Sequence, residues 1–171
     1  MSDSQAERNE ATIRRLYGGL DAHDGEAMAA CYAADATFSD PVFPELKGDQ
    51  APDMWRMLAE RATDLSVELP EAKADEEAGA ARWIATYTFA TTGRSVTNRV
   101  RSDFKFDSDG LITEQNDDFP FWRWSRQALG VPGLLLGWSP LIRSRVRSNA
   151  AAQLARFRAD CREQRGVRGT A

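Results

Sequence analysis

Histidine and cysteine are almost missing from this chain of 171 residues: His23 stands alone, and the only cysteines are Cys31 and Cys161. A single histidine cannot build a metal site of two or three imidazoles with a carboxylate. Two distant cysteines, in no CxxC or Cys/His spacing, exclude structural zinc, a redox pair and a disulfide scaffold. The acidic run DEEAG at 75–79 reads as a solvated hairpin turn and not as an oxygen cage, so no metal is expected. Glycine-rich phosphate loops are absent as well: neither GxGxxG nor GxxxxGK[ST] occurs, and no Ser/His or Cys/His arrangement suggests a nucleophile. No cofactor is expected. Long apolar runs are lacking too. Nothing approaches the roughly 18 residues of a membrane span, and residues 1–10 carry no signal-peptide core, so the expected address is the cytoplasm with no membrane partner.

What is present is one domain's worth of chain, long enough for folding to hide roughly 70% of the extended surface. The formal charge of −4 conceals an asymmetry. Residues 1–120 hold 12 Lys/Arg against 24 Asp/Glu, a net −12, whereas residues 121–171 hold 10 Arg against 2 acids, a net +8. The acidic body would repel a phosphate backbone, so nucleic acid is not an expected partner. A solvated Arg face paired with the acidic body is the plainer reading.

Residues 1–5 read as disordered. Ile13, Leu16, Tyr17 and Leu20 follow the i, i+3, i+4, i+7 rule and predict a helix over 6–22, and a shorter one follows over 25–33. A strand is predicted over 36–40, after which Pro41 and Pro44 exclude regular structure until Gly48. The next helix has Asp49 as N-cap, Pro52 in its first turn and a stripe of Ala51, Met54, Trp55, Leu58 and Ala62. From Leu65 the period falls to 2. Four strands, over 65–74, 80–91, 95–107 and 111–119, with turns DEEAG, TTGR and SDG, predict an antiparallel meander. Helices first and sheet second make an α+β domain over 6–129. The remainder, 130–171, reads as an extension: GVPGLLLGW as a loop, then an amphipathic helix from Ser139-Pro140 to about Arg165. Its stripe of Ile142, Val146, Ala150, Leu154, Phe157 and Cys161 predicts docking on the protein's own body. A dimer contact, a cavity lid or, for GVPGLLLGWSPLI with Arg143, Arg145 and Arg147, a lipid contact are the alternatives.

This order of elements resembles the nuclear transport factor 2-like superfamily, which includes the SnoaL-like polyketide cyclases, ketosteroid isomerases and limonene-epoxide hydrolases. The segment YAADATFSDPVF (32–43) is similar to the YADDATVEDP-type segment of the isomerases, and the resemblance spans about residues 6–125. It implies a cone of curved sheet closed by helices, an apolar cavity at the wide end, and a homodimer formed through the sheet. Asp40 stands where the isomerases carry the carboxylate that moves a proton. Their oxyanion tyrosine falls on Leu16, with Tyr17 about 100° further around the helix. Their protonated acid falls on Ser102, with Asp103 on the opposite strand face. The last-strand aspartate of the epoxide hydrolases matches Asp117 in QNDDF, while their Arg and Asp on the second long strand fall on Trp83 and Ala85. An acid near the end of the last strand also serves the cyclases, so the resemblance leans to the SnoaL-like branch.

Alternation puts Trp83, Ala85, Tyr87 and Phe89 on one sheet face with Asn98, Val100, Ser102, Phe104, Gln115, Asp117 and Phe119. Facing the cone interior, they would line an aromatic pocket with a few polar groups. A dehydrated carboxylate there becomes an acid or base near neutral pH. Asp40 and Asp117 are the candidate catalytic pair. Tyr32, Trp55, Trp83, Tyr87, Asn98, Ser102, Phe104, Gln115 and Phe119 are the candidate ligand contacts. Plainer readings stand beside these: Asp40 as a turn starter, Asp117 as a cap for the next helix, Tyr32, Trp55 and Tyr87 as core, and His23 as a cation at a helix end. Three functions remain open: a cofactor-free isomerase, cyclase or hydrolase, a non-catalytic binder of an apolar ligand, and a dimerising interaction module.

Overall fold

A computed structural model describes residues 4–168. Helix α1 (Gln5–Asp21) starts at a capping box in which Ser4 and Glu7 satisfy each other's backbone amides, and it buries Ile13, Leu16, Tyr17 and Leu20. Of the stretch read as disordered, residues 1–3 lie outside the described residues, while Ser4 caps the helix and Gln5 opens it. Helix α2 (Gly25–Ala29) is shorter than the expected 25–33. The chain leaves it to form β1 (Tyr32–Ser39), because Tyr32 pairs with Ile112 on the last strand. Long-range pairing has overridden a helical pattern. A two-residue strand β2 (Leu46–Lys47) then forms inside the Pro-rich segment expected to be irregular, its pairing with β1 supplied by Thr37 and Phe38. Helix α3 (Gln50–Arg61) begins after Asp49, whose side chain makes no capping bond.

The meander runs through β3 (Ser66–Ala74), β4 (Ala78–Phe89), β5 (Arg94–Phe106) and β6 (Ile112–Asp118). Together with β1 and β2 it makes a curved sheet of order β2-β1-β6-β5-β4-β3, in which β1 and β6 are parallel and all other neighbours antiparallel. Register shifts in β1, in β3 around Pro70, and at the end of β5 mark bulges that bend the strands. Pro70 is tolerated because β3 is an edge. The inner face carries the alternating apolar residues. The outer face is charged, with Arg101 to Asp103 at 3.1 Å and Lys105 to Glu114 at 2.8 Å among its ion pairs.

Helix α1 packs on β3 and β4, and α3 packs on β1 and β2. Three helices end the chain: α4 (Phe121–Leu129), α5 (Val131–Leu136) and α6 (Pro140–Arg168). The α5 segment had read as a loop. It is helical because Pro132 falls in the first turn, where no hydrogen bond is lost, and the glycines let it lie close to α4. The expected docking of α6 is seen in its packing on α3. Leu154 is buried, with Ile142, Val146, Ala150 and Phe157 half-buried beside it. Polar contacts reinforce this seat: Arg158 Nε lies 2.8 Å from Asp53 Oδ2, Arg61 donates to Gln153 at 2.8 Å, and Arg147 Nε donates to the Pro41 carbonyl at 3.0 Å. Among the described residues, no helix is long and apolar enough to cross a membrane.

Candidate active site

Antiparallel register sets Ser102 on β5 directly opposite Asp117 on β6, both pointing inward. Asp117 lies at the wall of a cavity of about 340 Å³ bounded by α3, the inner sheet face, α4 and α6, and Ser102 stands behind that wall. That volume is at the small end of ligand pockets, roughly 300–1,000 Å³. The cavity is therefore not filled by the chain's own side chains. Asp40, Trp55, Trp83, Tyr87, Asn98, Asp117 and Phe119 all line it.

Asp117 is only 4% exposed, and among the described residues no cation acts on it. Burial pushes its carboxyl up to about 7, and the negative charges of Asp40 and Asp103 push the same way. Hydrogen bonds from the Ser102 and Gln115 side chains oppose that rise. Gln115 Nε2 donates to Asp117 Oδ1 at 2.8 Å. The Gln115 carbonyl accepts from the Tyr32 hydroxyl, whose oxygen accepts in turn from Trp55 Nε1 at 2.5 Å. On the other side Ser102 Oγ accepts from Trp83 Nε1 at 2.9 Å and lies 2.6 Å from the Tyr17 hydroxyl. With its own proton on Asp117, Ser102 has room to accept from both rings. Two chains of buried donors thus converge on one carboxyl, and among the described residues no buried side-chain polar atom lacks a partner.

Asp40 is held differently. Its Oδ1 accepts from the Val42 and Phe43 amides at 2.6 and 2.5 Å, which makes it the turn starter of the Pro41 loop as well as part of the cavity wall. Burial raises its carboxyl to about 6 against the pull of those amides and of Arg147. Tyr87 reaches Trp124 of α4, whose Nε1 donates to the phenol oxygen at 2.9 Å. Asp117 does not cap α4, whose N-cap is Pro120 with no side-chain capping bond.

Four expected ligand contacts are placed elsewhere. Tyr32, Ser102 and Gln115 stand behind the wall, committed to protein partners, and none of them lines the cavity. Phe104 is 3% exposed and lies deeper, packed 6.4 Å from the Tyr17 ring and 6.0 Å from Phe106. The period-2 pattern tells which face a residue is on, but not how far along the cone it sits. His23 bonds the Leu65 carbonyl at 2.9 Å. Among the described residues no three His, Cys, Asp or Glu side chains converge as metal ligands would.

Two parts of the site escaped the sequence. Tyr17 was set aside because it points away from Leu16, yet it is fully buried over Trp83, with ring centroids 4.8 Å apart, and its hydroxyl reaches Ser102. Its place on the buried stripe of α1 was the available signal. Val146, Asn149, Ala150 and Gln153 of α6 supply the cavity's remaining wall; Val146 and Ala150 belong to the stripe expected to dock, with a cavity lid among its alternatives, whereas Asn149 and Gln153 lie off that stripe.

The sequence profile of the SnoaL-like domain matches residues 13–115. No curated protein matches the chain. Among solved structures, a limonene-epoxide-hydrolase-like epoxide hydrolase of M. tuberculosis shares 18% identity at a TM-score of 0.62, covering 80% of this chain and 99% of that one. A candidate polyketide cyclase from Xanthomonas campestris pv. campestris shares 18% at 0.61, over 73% and 99% of the two chains. A candidate ketosteroid isomerase from Kribbella flavida shares 21% at 0.52, over 68% and 81%. At these identities the likeness establishes the nuclear transport factor 2-like cone. Helices α4 to α6 lie beyond the residues the profile matches.

Proposed function

Since the chain belongs to the SnoaL-like domain family, we propose that it is a cofactor-free enzyme that moves protons on a small, largely apolar molecule held in the cone. Asp117 is the acid/base group, and Asp40 is the second carboxyl. The observation that supports this most is the setting of Asp117: buried at the cavity wall, with no cation acting on it among the described residues, titrating at about 7, and held in one orientation by Gln115 and Ser102. A carboxyl matched to neutral pH can take a proton and return it. Trp55, Trp83, Tyr87 and Phe119 receive the apolar body, and Asn98 addresses a polar atom.

Isomerisation, cyclisation and addition of water to an epoxide all need such a group, and the neighbours named above carry descriptions from each class. Steroid-type isomerisation is the weakest fit, because Leu16 offers no hydroxyl and Ser102 is engaged with Asp117. A homodimer across the outer sheet face, in the cytoplasm, belongs to the same reading. With that face charged, dimerisation would be salt-sensitive. The rival is a non-catalytic binder, which the Asp40 turn favours by committing one of its oxygens.

The test is a mass-spectrometric search for a co-purified small molecule, followed by turnover of a panel of apolar epoxides and β,γ-unsaturated ketones. Asp117→Asn should lower kcat by roughly 10²–10⁴-fold and leave ligand Kd within a few-fold. A ligand bound tightly but turned over by neither wild type nor variant would establish the binder instead.

A further inference from the structure

Helix α5 is built the wrong way round for a surface facing water. Its inward positions are Gly133 and Gly137, both buried, and a β-carbon at either would fall 1.9 Å from the Ser125 carbonyl oxygen or 2.1 Å from Ser125 Oγ on α4. The small face clamps α5 to α4, so the large apolar side chains turn outward. Val131 is 67% exposed, Leu135 62%, Trp138 72% and Leu141 81%, with Leu134 and Leu136 near half. A water-facing helix face is ordinarily polar, and side chains left at these exposures gain little from folding. Trp at the edge of an apolar patch is the usual marker of a membrane interface.

Charge around the patch is of one sign. Between Asp118 and Asp160 the sequence has no acid and seven arginines. Arg123, Arg126, Arg143 and Arg145 are exposed, and among the described residues none of them is in an ion pair. Arg126 lies 4.9 Å over the Trp122 ring and Arg143 5.1 Å over Phe121, so these cations are held beside the apolar surface. A second copy is a poor occupant. The other exposed large apolar residues among those described are only Leu58 and Trp122, so the patch would have to meet itself, and a two-fold contact would press the arginines together.

We propose that α5 and the start of α6 form an interfacial wedge that docks the protein on an anionic phospholipid bilayer. The leucines and Trp138 sit at the boundary between headgroups and acyl chains, and the arginines bind lipid phosphates. Lipid contact stands in the sequence as an alternative to docking of the last helix on the protein's own body, and the two are compatible, because α6 docks through Leu154 while α5 faces outward.

Co-sedimentation of the full chain with vesicles tests this, using phosphatidylcholine alone and phosphatidylcholine with about a third phosphatidylglycerol. The protein should partition onto the anionic vesicles and not the neutral ones. Leu135→Gln/Leu141→Gln should abolish partition, and Arg123→Gln/Arg145→Gln should weaken it by about thirtyfold. All four positions are exposed, and unchanged thermal melts would show the variants folded. Equal partition onto both vesicle types, no partition onto either, or undiminished binding by the leucine variant would overturn the proposal. So would concentration-dependent self-association that the leucine variant loses while lipid is ignored.

Discussion

Replacing Asp117 with asparagine separates the chemistry of its carboxyl from its shape. In the unfolded chain the group titrates near 3.8, and in the fold at about 7. A raised carboxyl favours the fold in its protonated form. That stability is complete below pH 3.8 and is lost as pH rises through 7. The gap, at about 1.36 kcal/mol per pH unit, corresponds to about 4 kcal/mol, a large part of the roughly 5–15 kcal/mol that holds a domain together. Asparagine cannot ionise, and its carbonyl can still accept from Gln115 Nε2. Wild type and Asp117→Asn should therefore be alike within about 1 kcal/mol near pH 4 and differ by about 3–4 kcal/mol near pH 8.5, the variant being the more stable. Asp40 titrates in both proteins, so most of its contribution cancels in the difference. Urea unfolding at the two pH values measures the effect, and thermal melts should show a gap of about ten degrees at the higher pH. A difference that stays constant across the range would mean a hydrated carboxyl, and the acid/base assignment would fall with it.

Three further expectations can be checked on the same preparations. Gln115→Leu removes the donor on Asp117 Oδ1 and the acceptor of the Tyr32 hydroxyl; the fold should lose about 1–3 kcal/mol, and the Asp117 midpoint, followed by carboxyl carbon NMR, should rise above 7. An unchanged midpoint would contradict the hydrogen-bond assignment. Gly133→Ala should destabilise by about 1–3 kcal/mol because its β-carbon meets the Ser125 backbone, whereas Gly18→Ala, with nothing within 4 Å, should be neutral or stabilising; similar unfolding midpoints for the two would refute the α4–α5 clamp. Ending the chain at Leu129 removes one cavity wall, and the truncated protein should bind hydrophobic dye more strongly and associate; an equally soluble, equally dye-silent product would show that α6 covers nothing.

Much of the architecture was legible because it rests on periodicity. The stripe Ile13, Leu16, Tyr17, Leu20 and the alternation along β4 and β5 each record a buried face, and the structure buries those faces. Where the reading failed, a distant partner decided the outcome. Tyr32 and Ala33 look like the end of a helix until Ile112 arrives beside them, and α5 looks like a loop until Ser125 explains its glycines. The site follows the same division. Asp117 and its wall of Trp83, Tyr87 and Asn98 could be read from strand alternation. The second layer could not, because Tyr32, Ser102 and Gln115 share a face with true lining residues and differ from them only in which protein group reaches them first.

The last helix forms one wall of the cavity, and this ties it to whatever occupies the interior. Val146, Asn149, Ala150 and Gln153 touch the same space as Trp55 and Trp83, while a clamp from Asp53 to Arg158 anchors the helix further along. Any guest in the cone therefore lies against α6. Once seated it holds that helix down by mass action, about 2.7 kcal/mol at a hundredfold excess over Kd. Slowed amide exchange along 142–158 would then announce occupancy before the guest has been identified.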